Sequence, residues 1–364
     1  MLDYAMFAVK VTTLTPLHIG NGRELLHEYD YAIRNGRTWR INEDALLDAQ
    51  PLDDPRDAER LAVTPPAQLL TKPEEFRPDS PFFRYVIKGT PRSSAHGAVL
   101  REQIKDPFDR IYLPGSSIKG ALRTMLGWYG WEQRKERPEI RRLGRSAKWA
   151  ATEYEHAIFG RDPNHDLMRA LQVSDSSTAA ADRLLILNAR VMGRGGKMGS
   201  PIEVEAIRSD TAFELSIKLD RALYSDWAGQ NRLVGGEWLE ELPQIARAYM
   251  DERLNQEVKW FEAIPGARQV ADFYRQFART TLGRNAFLVQ AGWGAGWDAK
   301  TFGSRLTADG AFMERIIVDY RMAKGARRTG DPFPKSRRVA VSFNERAESP
   351  AAPLGWLHVE MKER

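Results

Sequence analysis

The eight residues FELSIKLD, at positions 213–220, constrain the fold of this chain more than any other segment. Apolar side chains at the odd positions alternate with polar ones at the even positions, which is the period of a β-strand with one buried face. Other strand-like runs lie at residues 7–14, 29–33, 184–191 and 202–207 and in the terminal sequence GWLHVEM. Helical periodicity appears at residues 122–131, 245–261 and 270–277. The sequence therefore predicts an α+β fold with a mainly antiparallel sheet.

The composition excludes several classes of protein. With 42% hydrophobic and 10% aromatic residues, the 364-residue chain can bury a substantial core. It contains no cysteine, which excludes disulfide scaffolds, thiolate zinc sites and cysteine nucleophiles. No apolar run approaches the roughly 18 residues of a membrane span, and the first residues lack the pattern of a signal peptide. We therefore expect a cytoplasmic protein without a membrane partner.

Positive charge is clustered along the chain. The formal net charge is only +5, but residues 321–338 carry seven Lys and Arg against one Asp, and residues 134–148 carry seven against two Glu. A third basic segment, RVMGRGGKM, occupies residues 190–198. Each cluster alone is typical of a solvated surface, whereas the three together favour a polyanionic partner over a small acidic substrate.

The segment IYLPGSSIKGALRTML, residues 111–126, places two glycines at the spacing of a nucleotide-binding P-loop. A P-loop needs Lys and then Ser or Thr after the second glycine, and Ala121 and Leu122 stand there instead. ATP chemistry is therefore not expected. The segment predicts a strand end, a turn and a helix that begins near Ser116 or Ser117, either of which can cap it.

This helix start predicts an anion site, because the first backbone N–H groups of a helix are free to bind. Lys119 and Arg123 lie four residues apart and share a helical face above these amides. The arrangement suits a phosphodiester backbone as well as a nucleotide. A plain strand-to-helix corner, with Lys and Arg for solubility, is the alternative.

A second glycine-rich segment, QAGWGAGWDAKTFG at residues 290–303, carries a G-x-G-x-G pattern interleaved with tryptophans. A dinucleotide-binding loop needs G-x-G-x-x-G, so this is not a Rossmann motif. Glycines permit close backbone approach, while cations and indole rings suit RNA phosphates and bases. The residues concerned are Gly292, Trp293, Gly294, Gly296, Trp297, Lys300 and the nearby Arg284. A tight turn packed by the tryptophans is the alternative.

The segment MGRGGKMGS, residues 192–200, is too rich in glycine for a regular helix or strand and predicts the flexible tip of a hairpin. At such a tip, methionines can contact bases and cations can contact phosphates. The methionines are Met192 and Met198, and the cations are Arg194 and Lys197. A loop without a binding role is the alternative.

Catalytic candidates are few. The six histidines show no paired zinc spacing, so we expect neither a metal site nor a cofactor. His18, in TPLHIGNG, is a candidate base, and Asp30, in EYDYAI, is a candidate ligand of Mg²⁺ or of a ribose hydroxyl. A loop-ordering histidine and a hydrogen-bonded edge aspartate are the structural alternatives.

Five motifs, taken in order, resemble the RAMP superfamily of CRISPR RNA-binding proteins. They are LTPLHIGNG (14–22), YLPGSSIKGALRT (112–124), VSDS (173–176), AGWGAGWDAKTFG (291–303) and FPKSRR with PLGW (333–338 and 353–356). The first two motifs are shared with other RAMP subunits. The tryptophan-rich loop and PLGW resemble the fifth Csm subunit of type III-A effector complexes.

The resemblance implies a non-catalytic subunit that binds crRNA, ends the backbone filament at the crRNA 3′ end and contributes to antiviral defence. Its implied partners are crRNA, target RNA, a neighbouring RAMP backbone subunit and the small subunit of the Csm complex. The residues implied to hold crRNA phosphates are Ser116, Ser117, Lys119 and Arg123, with a second wall formed by Gly292, Gly294, Gly296 and Lys300. The glycine-rich tip, with Met192, Arg194 and Lys197, resembles the thumb that displaces a base pair of the guide–target duplex.

One correspondence leaves a catalytic alternative open. In the related repeated backbone subunit an Asp shortly after LHIGGG cuts target RNA, and Asp30 falls at a similar place here. The surrounding sequence differs, because DYAI replaces a segment with a Ser-Pro after the Asp. A metal-dependent endoribonuclease that acts on target or precursor RNA through Asp30, or through His18, is therefore the alternative.

The resemblance also implies a division of the chain. Residues 1–220 are predicted to form a ferredoxin-like, RRM-type palm, interrupted by a proline-rich insertion at 51–94 and a β-hairpin thumb at 184–207. Residues 221–281 are predicted to be a helical insertion. Residues 282–364 are predicted to complete the palm and to carry the glycine-rich loop.

Overall fold

The structure, a computed structural model, describes residues 3–51, 54–323, 327–343 and 347–364. Its strands are β1 (Tyr4–Thr13), β2 (Gly20–Leu26), β3 (Tyr31–Arg34), β4 (Arg37–Ile41), β5 (Phe83–Lys88), β6 (Val99–Gln103), β7 (Leu171–Val173), β8 (Leu184–Gly193), β9 (Ile202–Ile207), β10 (Ala212–Asp220), β11 (Ala286–Gln290), β12 (Ser336–Phe343), β13 (Glu348–Ala352) and β14 (Trp356–Glu363). Its α-helices are α1 (Glu43–Asp48), α2 (Pro55–Val63), α3 (Pro66–Leu69), α4 (Gly115–Gln133), α5 (Thr152–Phe159), α6 (Gly236–Glu240), α7 (Leu242–Glu262), α8 (Arg268–Arg279) and α9 (Gly310–Asp319). Within the described ranges, no helix is long and apolar enough to cross a membrane.

One antiparallel sheet contains the alternating segment at 213–220. Its strand order is β11-β14-β1-β10-β7, and β10 pairs with β1 from Ala212 opposite Thr12 to Asp220 opposite Tyr4. The odd-numbered apolar residues of β10 are buried, as the alternation predicts. In chain order α4 precedes β7, and α7 lies between β10 and β11. Apart from β14, this arrangement is compatible with the ferredoxin-like βαββαβ palm.

A second sheet contains the predicted hairpin. Its order is β2-β6-β9-β8-β5-β4-β3, and β8 pairs with β9 from Leu184 opposite Ile207 to Ala189 opposite Ile202. The rest of β8 pairs with β12, which places Ser336 opposite Gly193. The hairpin tip therefore lies beside the basic start of β12.

Helix α4 is held in place by its apolar face. Ile118, Leu122 and Met125 are buried at the i, i+4, i+7 spacing of one face, and α4 contacts both α7 and β7. Full burial of each such side chain stabilises the fold by about 1.5–3 kcal/mol. The start of α4 is therefore fixed relative to the first sheet.

Regular elements with long periodic patterns are confirmed, and several other elements were not predicted. Strands β1, β8, β9 and β10 and helices α4, α7 and α8 lie where the sequence predicts them. Strands β5, β12 and β13 lie in segments for which the sequence predicts neither a strand nor a helix. Strand β5 does alternate, with Phe83, Tyr85 and Ile87 buried. The alternation is short and lies within the proline-rich insertion, so it does not stand out in the sequence.

The predicted division of the chain is not decided by these elements. The α-helices α6, α7 and α8 do lie between residues 221 and 281. The boundaries of palm, insertions and thumb stay predictions. Residues 52–53 of the proline-rich insertion and 324–326 of the basic segment lie outside the described ranges.

Candidate nucleic-acid interface

Three of the sequence motifs are joined by backbone hydrogen bonds. The N–H of Trp293, in the glycine-rich loop, donates to the carbonyl of His18 at 2.7 Å. The N–H of Ala291 donates to the carbonyl of Gly355, and the N–H of Gly355 donates to the carbonyl of Pro16, at 2.8 and 2.9 Å. Segments that are far apart in the chain thus form one junction.

Glycine is needed at two points of this junction. Gly292 has a φ of +78°, and an added Cβ would lie 2.6 Å from the carbonyl oxygen of His18. Gly355 has a φ of +76°, and an added Cβ would lie 2.1 Å from the carbonyl oxygen of Ala291. Only glycine readily adopts this backbone conformation and leaves room for the neighbouring carbonyl oxygen.

The start of α4 is tied to the third motif, VSDS. The N–H of Gly115 donates to Asp175 Oδ1 at 2.7 Å, and the N–H of Leu113 donates to Ser176 Oγ at 2.9 Å. The expectation that Ser116 or Ser117 caps the helix is wrong, because both lie inside α4 and Asp175 binds its first amide. The amide of Ser116 has no hydrogen-bond partner among the described residues and remains open to a ligand.

The junction and the start of α4 enclose a cleft of about 460 Å³, which we call the central cleft. It is lined by residues of three motifs: Ile19 and Gly20; Ser116, Ser117, Gly120, Ala121 and Thr124; and Gln290, Ala291, Gly292, Trp293, Ala295, Ala299 and Lys300. The structure therefore brings together Ser116, Ser117, Gly292 and Lys300, as the sequence predicts. Gly294 and Gly296 have φ values of +88° and +87° and shape the loop without lining the cleft.

Two arginines lie over the Trp293 ring at the edge of the central cleft, and Lys300, which lines the cleft, is close enough to Arg338 for their charges to repel. The guanidinium carbons of Arg338 and Arg101 lie 5.0 and 5.6 Å from the centre of the Trp293 ring. Burial, and then repulsion by Arg338, lower the pKa of Lys300; burial and repulsion by Arg101 lower the pKa of Arg338. Within the described residues neither Lys300 nor Arg338 has an ion-pair partner, and Arg101 has only Glu24, at 3.8 Å. This basic cluster of Arg101, Lys300 and Arg338 favours an anionic ligand.

A buried ion network holds the basic cluster in position. Arg337, next to Arg338, pairs with Glu257 of α7 at 2.9 Å and with Asp298 of the glycine-rich loop at 3.1 Å. The buried Arg253 pairs with the same two carboxylates at 3.1 and 3.5 Å. The network fastens β12 and the glycine-rich loop to α7, so Arg337 serves the fold while Arg338 stays available.

The predicted cations of α4 have different surroundings. Arg123 donates two hydrogen bonds to Asp166, pairs with Glu155 at 3.1 Å and lies over the ring of Phe159. Its charge is neutralised, and it fastens α5 to α4. Lys119 has no ion-pair partner among the described residues, and burial lowers its pKa. Phosphate contact by either residue stays a prediction, and of the two only Lys119 lacks an acidic partner among the described residues.

The hairpin tip requires a correction. Met192 is only 1% exposed and packs in the main core, so the prediction that it contacts bases is wrong. It lies on the buried face of β8, which runs further into the glycine-rich segment than the sequence indicates. Arg194 and Lys197 are exposed at the tip, and their contact with RNA stays a prediction.

Both catalytic candidates are engaged by neighbouring groups of the fold. His18 is 3% exposed, and its Nδ1 contacts the carbonyl of Glu205 at 2.7 Å; burial lowers its pKa from 6.5 to about 4. Asp30 accepts hydrogen bonds from Arg23 at 2.8 Å and from the Leu26 amide at 2.9 Å. In the described part of the chain, no group of three or more His, Asp or Glu side chains is placed to bind a metal.

Two members of the basic cluster were missed as individual residues. Arg338 belongs to a segment that is basic as a whole, and its sequence gives no reason to separate it from Arg337. Arg101 belongs to β6, in a segment without a motif, and only the fold brings it to Trp293.

Comparison with known proteins decides the family. The sequence model of the RAMP superfamily matches residues 10–297 of this chain. The chain belongs to the RAMP superfamily. Its sequence is similar to CRISPR-system Csm5 proteins: 25% identity to that of Streptococcus thermophilus, over 68% of this chain and 70% of the relative, and 26% to that of Methanocaldococcus jannaschii, over 60% and 54%.

Solved structures share the fold of this RAMP protein. A chain of a Csm–crRNA–target RNA ternary complex from a type III-A CRISPR-Cas system matches with a TM-score of 0.72 and 24% identity, over 98% of this chain and 100% of that one. The crystal structure of T. onnurineus Csm5 matches with a TM-score of 0.66 and 24% identity, over 96% and 99%. The resemblance to the fifth Csm subunit, expected from the motifs, is confirmed.

Proposed function

We propose that this chain is a crRNA-binding subunit of a type III-A CRISPR interference complex and that it binds RNA without cutting it. It ends the backbone filament at the crRNA 3′ end and contributes to antiviral defence. Its neighbours are a RAMP backbone subunit and the small subunit of the Csm complex. Similarity to Csm5 proteins supports this assignment, and the alignment with one of them covers 68% of this chain and 70% of the relative.

The observation that carries the proposal is the basic cluster at the central cleft. The Ser116 amide and Lys300 line the cleft, and Arg338 lies over Trp293 at its edge; neither cation has an acidic partner among the described residues. Backbone amides and unpaired cations suit the phosphates of an RNA strand, and the Trp293 ring offers a surface for a base. Binding through phosphates carries no sequence information, as a subunit that meets many guide sequences requires.

The absence of cleavage rests on the surroundings of the two catalytic candidates. A general base is effective when its pKa lies near the working pH, and burial holds the pKa of His18 at about 4. The carboxylate of Asp30 is engaged by Arg23, by Arg40 and by a backbone amide. Both residues thus serve the fold.

An electrophoretic shift with a labelled RNA of crRNA length, followed by a denaturing gel, tests the function. Wild type should shift intact RNA with or without Mg²⁺, and Lys300→Ala/Arg338→Ala should shift it weakly. The control Arg37→Ala/Lys88→Ala removes the same charge from an exposed pair on β4 and β5, outside the cleft, and should bind like wild type. Two results would contradict the proposal. One is equal RNA binding by the two double variants; the other is cleavage of the RNA by wild type but not by Asp30→Asn.

Position in the complex needs a separate measurement. In a complex reconstituted on crRNA with 4-thiouridine at either end, this chain should crosslink to the 3′-terminal label. Crosslinking only to the 5′ label contradicts the proposed position while leaving RNA binding intact.

A further inference from the structure

A second cavity, of about 1070 Å³, opens beside the central cleft. The two share Ser116, Gly120, Thr124 and Lys300 as lining residues. A ligand can therefore extend from one into the other past a helical face that carries no side chain at Gly120. The volume of this second cavity, about 1070 Å³, lies just above the roughly 300–1000 Å³ typical of small-ligand sites. We call it the aromatic pocket.

Many aromatic rings line the aromatic pocket. They include those of Trp131, Trp149, Tyr154, Phe159, Trp297 and Phe302. Trp149 is 56% exposed although it is large and apolar, and its ring carries Lys148 Nζ at 4.8 Å from its centre. An exposed indole beside an apolar cavity is a surface on which a flat, uncharged ring can stack.

The charges of the aromatic pocket favour a neutral group inside it. Its carboxylates are engaged: Asp166 and Glu155 by Arg123, and Asp162 by His165 at 2.8 Å. Its lining also includes the cations Lys119, Lys148 and Arg169, besides the shared Lys300. These cations favour phosphates beside the pocket and in the central cleft, whereas the aromatic side chains favour an uncharged ring.

We propose that the aromatic pocket receives one unpaired nucleobase of the RNA strand whose phosphates occupy the central cleft, and that Trp149 stacks on this base. The proposal rests on the proposed function, because the central cleft must hold RNA for a base to reach the pocket. It adds a pocket for one base to a surface whose other contacts are mainly with phosphates. Such a site fixes the register of the strand, since one nucleotide is held differently from its neighbours.

A scan of single abasic sites along the RNA tests this proposal. With wild type, removal of one particular base should weaken binding about tenfold, as expected for loss of one base–aromatic stack. With Trp149→Ala, removal of that base should have no further effect, whereas Trp149→Phe should retain part of the sensitivity. 2-Aminopurine at the sensitive position should be quenched on binding to wild type and not on binding to Trp149→Ala.

Phe108→Ala is the matched control, because Phe108 is an exposed aromatic residue that lines neither cavity. It should keep the wild-type sensitivity, and all variants should melt like wild type. RNA binding without a sensitive position, or sensitivity that persists in Trp149→Ala, overturns the base site but not the proposed function, and indicates a different occupant such as a protein segment. If wild type binds none of these RNAs, both proposals fail.

Discussion

Lys300 and Arg338 are placed where their charges repel each other and no acidic side chain of the described residues offsets the repulsion. Elsewhere arginines are engaged, as Arg123 is by Asp166 and Arg337 is by Glu257. The repulsion between two such cations destabilises the free protein, and a bound anion converts it into attraction. At the scale of single residues, the difference between engaged and available cations locates the interface.

Gly120 and Gly130 of α4 are expected to respond oppositely to alanine. Gly120 has nothing within 4 Å of an added Cβ, so Gly120→Ala should raise the free energy of unfolding by about 0.5–1 kcal/mol, the cost of glycine inside a helix. A Cβ at Gly130 would lie 2.6 Å from Ile158 and 2.8 Å from Trp238, so Gly130→Ala should destabilise by about 1–3 kcal/mol. Urea unfolding measures both changes.

Larger side chains at Gly120 test the cleft directly. Gly120→Leu should leave the melting temperature unchanged or higher and weaken RNA binding, because the leucine would occupy space shared by both cavities. Unchanged RNA affinity in a folded Gly120→Leu variant would show that the strand does not pass this point.

The buried His18 is expected to make the fold sensitive to acid. Burial lowers its folded pKa from 6.5 to about 4, so between these values the unfolded chain binds a proton that the folded chain does not. Its contribution to stability is present above pH 6.5 and is lost as the pH falls. Between pH 7 and 5 the loss should be about 2 kcal/mol.

Urea unfolding of wild type and His18→Gln at the two pH values measures this contribution. The variant can be less stable at both, but its free energy of unfolding should fall less between them. An equal fall in both proteins would show that His18 does not titrate differently in the folded and unfolded states.

At the scale of elements, the ion network around Arg253 fastens β12 and the glycine-rich loop to α7. Arg253→Met should destabilise the fold by about 3–5 kcal/mol, because Glu257 and Asp298 stay buried with one cation fewer. The exposed pair of Arg232 and Asp226, at 2.7 Å, supplies the control, and Arg232→Met should cost no more than about 1 kcal/mol. Similar changes for the two variants in denaturant unfolding would contradict the role of the network.

The same scale shows what the sequence could predict. Helices α4, α7 and α8 have long periodic patterns, and β10 alternates over its full length, so local sequence was sufficient for them. β12 begins with charged residues and is completed by its pairing with β8, which no local pattern contains. Met192 and Arg101 show the same limit, since burial of the first and the contact of the second with Trp293 depend on strands distant in the sequence.

For the whole molecule, the main result is that motifs spread from residue 14 to residue 356 meet at one junction. The sequence identified the motifs, their family and five lining residues of the central cleft, namely Ser116, Ser117, Gly292, Trp293 and Lys300. It could not identify which cations stay unpaired, because that depends on which carboxylates the fold brings beside them. The aromatic pocket was missed because its rings come from segments distant in the sequence, among them α4, the turn at residues 147–149 that carries Trp149, α5 and the glycine-rich loop.

The most direct test of the account is the salt dependence of RNA binding, measured by fluorescence anisotropy for wild type, Lys300→Ala/Arg338→Ala and the control Arg37→Ala/Lys88→Ala. Each phosphate neutralised on a single strand contributes about 0.7 to the slope of log affinity against log salt, so losing two contacts should reduce the slope by about 1.4. The control should keep the wild-type slope. Equal slopes for wild type and Lys300→Ala/Arg338→Ala would contradict the claim that the central cleft binds RNA phosphates.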